Sequence, residues 1–333
     1  TLRGIMITVQ EARALLLALT RTLDVQEVPL VETAGRVLAR PVTARRNQPP
    51  FAASSMDGYA MKRDEVERHA MFKVIGEAAA GHAFDGEVGP GQAVRIFTGA
   101  PVPKGADFVV IQEDITRTGD LITIADDPGQ KDNIRAEGGD FSTGTTIEPP
   151  LRLRAEDVAL LAAMNIPVVP VIRKPVVALI STGDELVMPG ETPGPDQIIV
   201  SNTFGLKAML EAVGAEVRIM PIARDTFASL KTAFDLARAA DLIITIGGAS
   251  VGDHDLVGDV ASTLGMEQSF YKVAMRPGKP LMAGRMGAAA MVGLPGNPVS
   301  AMVCGHVFLV PMVRAMLGLE AAPAPRLTAE LAT

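Results

Sequence analysis

The sequence holds one cysteine, no tryptophan and only two tyrosines. Each scarcity excludes something. Cys304 alone supports neither a disulfide framework nor a cysteine metal site, which fits a reducing cytoplasm. So few Trp and Tyr side chains leave little surface on which single-stranded bases could stack. Basic charge is also in short supply. The 31 Lys and Arg against 38 Asp and Glu give a net charge of −7, which opposes a nucleic-acid backbone or an anionic membrane as partner. A small anionic ligand remains compatible with that balance, provided cations cluster locally. Long apolar runs are missing too: the longest, "VSAMVCGHVFLVPMV", has 15 residues with His306 and Pro311 inside it. That is short of the roughly 20 needed to span a bilayer, and it predicts a buried helix. Near the start, Glu11 and Arg13 interrupt the apolar run, so no export signal is expected.

The chain's 333 residues exceed what one hydrophobic core usually serves, which predicts two or three domains. Thr8 to Glu11 forms a T-x-x-E capping box, and Ala12, Leu15, Leu16, Leu19 and Leu23 follow at helical spacing, predicting a helix near 9–23. From Pro41 to Phe141 short β-type runs such as "AVRIF" and "DLITIA" alternate with glycine and proline signals such as "TGAPVPKGA". This is expected to be a strand-rich domain. "AEDVALLAAMNI" at 155–166 restores a helical pattern, and "RKPVVALI" opens a new strand, setting a boundary near 174. Beyond it, strands "VVALIST", "EVRIMPI" and "DLIITIGG" alternate with helices "SNTFGLKAMLEAVG", capped by Ser201 or Asn202, and "FASLKTAFDLARAA". The fold class predicted is α/β multidomain, with an α/β sandwich after residue 174.

In such sheets ligands bind beyond the carboxyl ends of the strands, which ranks three loops: "STGDEL" (181–186), "GGASVGDHD" (247–255) and "GLPGNPVS" (293–300). Gly247, Gly248 and Ser250 can present amides and a hydroxyl to an anion. Taken alone, the same glycines serve equally well as plain turn residues, and they fit neither G-x-x-x-x-G-K-[ST] nor G-x-G-x-x-G. Asn297 and Pro298 read as a cap and first turn, whose free amides could face an anion or simply start a helix. "MRPGKPL" brings Arg276 and Lys279 around a turn, with Lys272 just before it. Seven acidic positions complete the inventory: Asp57 in "SSMDGYAM", Asp140 in "GGDF", Asp184 and Glu185 in "TGDEL", Asp225 in "ARDT", and Asp253 with Asp255. Carboxylates and cations gathered at one sheet edge would be reconciled by a divalent cation bridging carboxylates to a phosphate. His254 reads as a turn residue and is left out of the site.

"MDGYA", "FTGAPVPKGAD", "STGDEL", "GGASVGDHD", "RPGKP" and "GLPGNPVSA", in this order and spacing, resemble the molybdopterin molybdenumtransferase family, which includes the bacterial MoeA proteins and the E domain of gephyrin. The resemblance covers roughly residues 8–318. It implies an elongated helical domain I (1–40 and 142–173), a β-rich inserted domain II (41–141) and a molybdopterin-binding α/β domain III (174–318). Residues 319–333 would begin a C-terminal β-domain IV that is otherwise absent. The implied reaction inserts molybdate into adenylylated molybdopterin with Mg2+-dependent release of AMP. Asp57, Thr98, Asp140, Glu185, Asp225 and Asp255 match catalytic positions, with Asp57 foremost. Asp184, Glu185 and Asp255 are the implied Mg2+ ligands. Cofactor binding falls to Ser181, Thr182, Gly183, Asp184, Gly247, Gly248, Ser250, Gly252, Lys272, Arg276, Lys279, Pro295, Gly296 and Asn297. The resemblance also implies a cytoplasmic homodimer with a site shared between subunits, supplied upstream by a molybdopterin adenylyltransferase. Two alternatives stand beside it. A molybdopterin adenylyltransferase would leave residues 1–173 unexplained, and a pterin-binding scaffold would keep its partner when Asp57 is replaced by Ala.

Overall fold

A computed structural model describes residues 6–248 and 256–322. Within it the chain packs as two compact units: one runs up to Arg40, takes in Glu148–Arg154 and resumes at Val168, and the other comprises Pro41–Ile147 and Ala155–Pro167. The segment 142–173, expected to go together, is thus shared between the two.

The first unit is built on a seven-stranded sheet. Its strands in chain order are β1 (Met6–Ile7), β2 (Val176–Ser181), β3 (Glu216–Ile219), β4 (Leu242–Ile246), β5 (Met266–Val273), β6 (Pro280–Met286) and β7 (Ala289–Leu294). Their spatial order is β1-β5-β6-β7-β4-β2-β3. β3, β2, β4 and β7 run parallel, whereas β6 is antiparallel to both β7 and β5. Near-continuous apolar sequence in the parallel strands has a direct cause, because both faces are buried. Val177 and Leu179 enter one core with Ile244 and Val292, while Ala178 and Ile180 enter the other with Ile243 and Met291. Helices Val9–Ala18, Asn202–Ala212 and Pro298–Met316 cover the first face, and Phe227–Ala237 and Leu256–Thr263 the second. The result is a three-layer α/β/α arrangement. A separate four-stranded sheet joins Leu151–Arg152, Val37–Leu38, Val168–Ile172 and Val25–Pro29.

The capping box forms as read: the Thr8 amide donates to Glu11 Oε2 at 2.7 Å, and the Glu11 amide to Thr8 Oγ1 at 3.2 Å. The helix ends at Ala18 rather than near 23. The Thr20 amide and hydroxyl both turn back to the Leu17 carbonyl, and the Leu23 amide donates instead to Met316 O. Pro298–Met316 is a 19-residue helix with a π-turn at Gly305–Leu309. By length and composition it could cross a membrane, longer than the 15-residue run promised. More than half of it is buried, however, and Ala301, Cys304, Phe308, Met312 and Val313 lie wholly in the protein interior. It is a core helix, as the sequence implied.

The second unit carries a six-stranded sheet, ordered Ile115–Thr118, Leu121–Ile124, Met71–Ala78, Gln92–Ile96, Gly58–Met61 and Phe108–Ile111. Tyr59, Phe72, Phe108, Ile122 and Ile124 fill one of its cores, and Ala60, Val94, Ile96 and Val109 another. The helix predicted over 155–166 spans Ala155–Ala163, where Asn165 in the left-handed conformation (φ 63°) closes it.

Candidate functional site

Strand order decides where a ligand belongs. From β2 the chain goes to β3 on one side, and from β3 it returns to β4 on the other, so the winding reverses between β2 and β4. The helix after β2 lies on one face and the helix after β4 on the opposite face. Their connections therefore part at the carboxyl ends of these two strands and leave a crevice. A cavity of about 330 Å³ opens there, lined by Ser181, Thr182 and Glu185 after β2, Ile246 and Gly247 at β4, and Gly296, Asn297 and Pro298 after β7. Leu186, Ile198, Ile199 and Val200 make its apolar wall, and Ser201 and Asn202 its far rim.

The loops are fastened to one another. The Thr182 amide donates to Ile246 O at 3.0 Å, the Gly247 amide to Leu294 O at 3.1 Å, and Asn202 Nδ2 to Gly296 O at 2.7 Å. Gly247 has φ +94°, and a Cβ there would stand 2.7 Å from the Thr182 carbonyl oxygen. Glycine is thus required by a close backbone approach as well as by the left-handed turn. Asn297 caps its helix as the sequence implied, its side chain accepting from the Ser300 amide at 3.1 Å, with Pro298 in the first turn. The N-termini of the Asn202 and Pro298 helices both reach the cavity, and their unpaired amides favour an anion there.

Beside the cavity lie three carboxylates. The Asp225 amide donates to Asp184 Oδ1 at 3.2 Å, and burial, then Asp184, then Glu185 push the Asp225 carboxyl above its usual range. Gly183 (φ +145°) passes so close beneath Glu185 that a Cβ would meet the carboxylate at 2.3 Å. None of the three makes an ion pair with a described residue.

Other predicted residues are distributed more widely. Asp57 and Thr98 meet in the second unit: the Thr98 amide and hydroxyl donate to the same Asp57 Oδ1 at 2.8 and 2.7 Å, holding the carboxyl below its usual range, while Oδ2 has no donor among the described residues. Asp140, in the same unit, pairs with Arg135 at 2.5 Å, so its carboxylate is already matched. Lys272, Arg276 and Lys279 do not line the cavity. The register nonetheless brings their turn to the same sheet edge, because Lys272 pairs with Pro280 and Met282 with Gly293. Pro295 is buried and also absent from the lining. Ser181 is spent on a hydroxyl pair with Thr203. Ser250, Gly252 and Asp255, with Asp253 and His254, lie outside the described residues. Among the described residues no three acidic, His or Cys groups form a ready metal cage, so the expected ligand set of Asp184, Glu185 and Asp255 is represented here by its first two members.

Sequence reasoning missed two arginines. Arg224 donates from Nη1 to the carbonyls of Gly183, Asp184 and Leu186, and Arg95 packs between the Tyr59 and Phe97 rings while donating to Gly58 O at 3.1 Å. Only adjacency could have flagged Arg224, which directly precedes Asp225 in "ARDT".

The fold and cavity define an α/β protein with a crevice at a topological switch point, rimmed by two helix N-termini, and with a separate β-rich unit. Comparison with known proteins narrows the class. Residues 7–165 match the family described as the MoeA N-terminal region (domain I and II), and residues 178–315 match a probable molybdopterin binding domain. A molybdopterin molybdenumtransferase of Nostoc sp. is 37% identical over 306 residues, covering 89% of this chain and 70% of the relative. One from Haemophilus influenzae is 36% identical, covering 94% of this chain and 78% of the relative. The solved molybdopterin biosynthesis MoeA protein from Pyrococcus horikosii superposes with a TM-score of 0.81 at 32% identity, covering 95% of this chain and 81% of that one. The chain belongs to the molybdopterin molybdenumtransferase (MoeA) family of transferases in molybdenum cofactor biosynthesis.

Proposed function

We propose that this chain inserts molybdate into adenylylated molybdopterin and releases AMP. The observation that carries this reading is the switch-point cavity: two helix N-termini and the Gly247 turn face one space, walled by Ile198 and Ile199 and bordered by carboxylates that make no ion pair with a described residue. Amides suit the phosphate, and the apolar wall suits a flat ring. Lys272, Arg276 and Lys279, on the same sheet edge, are assigned to molybdate, for which their cationic donors are suited.

Mg2+ fits the donor set. Asp184 and Glu185 are unpaired carboxylates beside an anion-binding space, and magnesium is usually held by one or two carboxylates, waters and substrate phosphate oxygens. When bound it would neutralise charge on the adenylate phosphate. Asp57, whose Oδ2 has no donor among the described residues and whose ionised form is favoured by Thr98, is assigned to accept a proton or orient the attacking oxygen. Asp57 and Thr98 belong to a different unit from the loop cavity, and we infer a homodimer in which two copies complement each other. Cytoplasmic location belongs to the same reading, in keeping with a sequence that holds a single cysteine, Cys304. Domain boundaries at 41, 142, 174 and 319 are proposed on the family's pattern, as is a molybdopterin adenylyltransferase as supplier of the adenylylated substrate.

The test is AMP release, followed by chromatography, from adenylylated molybdopterin, Mg2+ and molybdate. Wild type is expected to release AMP only with molybdate, and Asp57→Ala to lose that release. Mixing Asp57→Ala with Glu185→Gln should restore part of the activity if two copies share the work. An Asp57→Ala protein as active as wild type would refute the assignment.

A further inference from the structure

The loop 183–186 carries Asp184 and Glu185, yet among the described residues no carboxylate of this region is held by a cation. What fixes the loop is its backbone. The Gly183 amide donates to Ala223 O at 3.0 Å and the Ala223 amide to Ser181 O at 2.9 Å, carrying the ladder one step beyond β2. From the adjoining residue, the Arg224 guanidinium reaches across. Its Nη1 donates to Gly183 O at 3.2 Å, Asp184 O at 3.0 Å and Leu186 O at 3.0 Å. One nitrogen with two hydrogens serves three carbonyls, so at least one bond is three-centred. The Arg224 amide is itself held by Ser229 Oγ at 2.9 Å, at the start of the Phe227–Ala237 helix.

The choice of acceptors is informative. Three carboxylates, Asp184, Glu185 and Asp225, lie within reach of one another, and a guanidinium among them would ordinarily form a bidentate pair with one. Arg224 binds carbonyls instead and makes no ion pair with a described residue. We propose that Arg224 is a positioning residue for the reaction, pinning the backbone of the 183–186 loop so that the Asp184 and Glu185 carboxylates stay fixed at the cavity rim and free for the substrate's cation. The role rests on the function proposed above. A lysine has donors for these carbonyls but lacks the planar fork, so it restores the clamp in part. Gln keeps an amide donor without charge.

The test separates the clamp from the chemistry. Hydrogen exchange read by mass spectrometry on peptides spanning 181–188 is compared for wild type, Arg224→Lys, Arg224→Gln and Arg224→Ala, beside thermal melts of each. One charge-assisted hydrogen bond corresponds to about tenfold in local opening. Arg224→Ala is therefore expected to exchange on the order of tenfold or more faster in this segment, with the core strands unchanged and Arg224→Lys intermediate. AMP release is measured across a Mg2+ titration: the half-saturating Mg2+ concentration is expected to rise in the order wild type, Lys, Gln, Ala. Loop exchange identical in all four proteins overturns the clamp. Faster loop exchange with an unchanged Mg2+ requirement in active protein overturns the positioning role. If wild type releases no AMP, the titration is repeated with Mn2+ alone by electron paramagnetic resonance. Weaker Mn2+ binding in Arg224→Ala then supports the positioning and equal binding overturns it, while the insertion reaction fails separately.

Discussion

Replacing Gly247 by Ala perturbs the point where all three cavity loops meet, and its cost can be worked from geometry. Gly247 has φ +94°, a left-handed conformation that costs an L-residue about 1–2 kcal/mol. The added Cβ would stand 2.7 Å from the Thr182 carbonyl oxygen and 3.1 Å from Thr182 Oγ1. A backbone carbonyl cannot swing away as a side chain can, so relief requires displacing Thr182, whose amide is bonded to Ile246 O. Overpacking of this kind costs about 1–3 kcal/mol. The sum, about 2–5 kcal/mol, is a large share of the 5–15 kcal/mol typical of a folded domain. Gly296→Ala is the internal control: it lines the same cavity, but its nearest neighbour is Gly247 Cα at 3.5 Å, an ordinary contact. Urea unfolding should show a lower midpoint for Gly247→Ala with an unchanged slope, and a Gly296→Ala midpoint near wild type. A Gly247→Ala protein within about 0.5 kcal/mol of wild type, or two variants equally destabilised, would refute the reasoning.

Three further outcomes follow from the charges. Asp241 is raised by its burial, but donors from both Arg173 nitrogens (2.7 and 2.6 Å) and the Val176 amide (2.8 Å) outweigh this and hold it below the usual range. Its stabilisation is therefore present above the ordinary carboxylate range and lost as pH falls through the lowered value; Asp241→Asn should cost about 2 kcal/mol at neutral pH and flatten the acid limb of a stability profile. Thr98→Val removes the hydroxyl donor while keeping the amide, so the Asp57 carboxyl moves up and the acid limb of kcat/KM shifts to higher pH. Asp225 is raised by burial and by Asp184 and Glu185, so a penalty on folding builds up as pH climbs from the ordinary carboxylate range to the raised value and is full above it. Asp225→Asn should raise the melting temperature at neutral pH, leave it unchanged in acid, and lower AMP release; a stability gain confined to acid would contradict the sign.

Periodicity made the parallel strands legible, because residues such as Val177, Ala178, Leu179 and Ile180 must be apolar on both faces. Caps at Thr8 and Asn297 were equally visible, since the side chain that starts a helix is adjacent to what it caps. Contacts joining distant residues were not. Nothing near Arg224 announces that it will serve the carbonyls of a loop some forty positions earlier, or that Asp140 will be matched by Arg135 while Asp57 is met by Thr98. The basic turn at 276–279 is assigned to cofactor binding by resemblance alone, and only the β5–β6–β7 register brings it to the sheet edge where the cavity opens.

The most direct measurement is the stoichiometry of insertion. Purified protein is given adenylylated molybdopterin, Mg2+ and a limiting amount of molybdate, and pterin-bound molybdenum and AMP are quantified in the same sample by mass spectrometry and chromatography. The account predicts that the two products appear in equal amounts and stop together when molybdate is exhausted. AMP released without molybdenum on the pterin, or molybdenum bound with the adenylate intact, would contradict it.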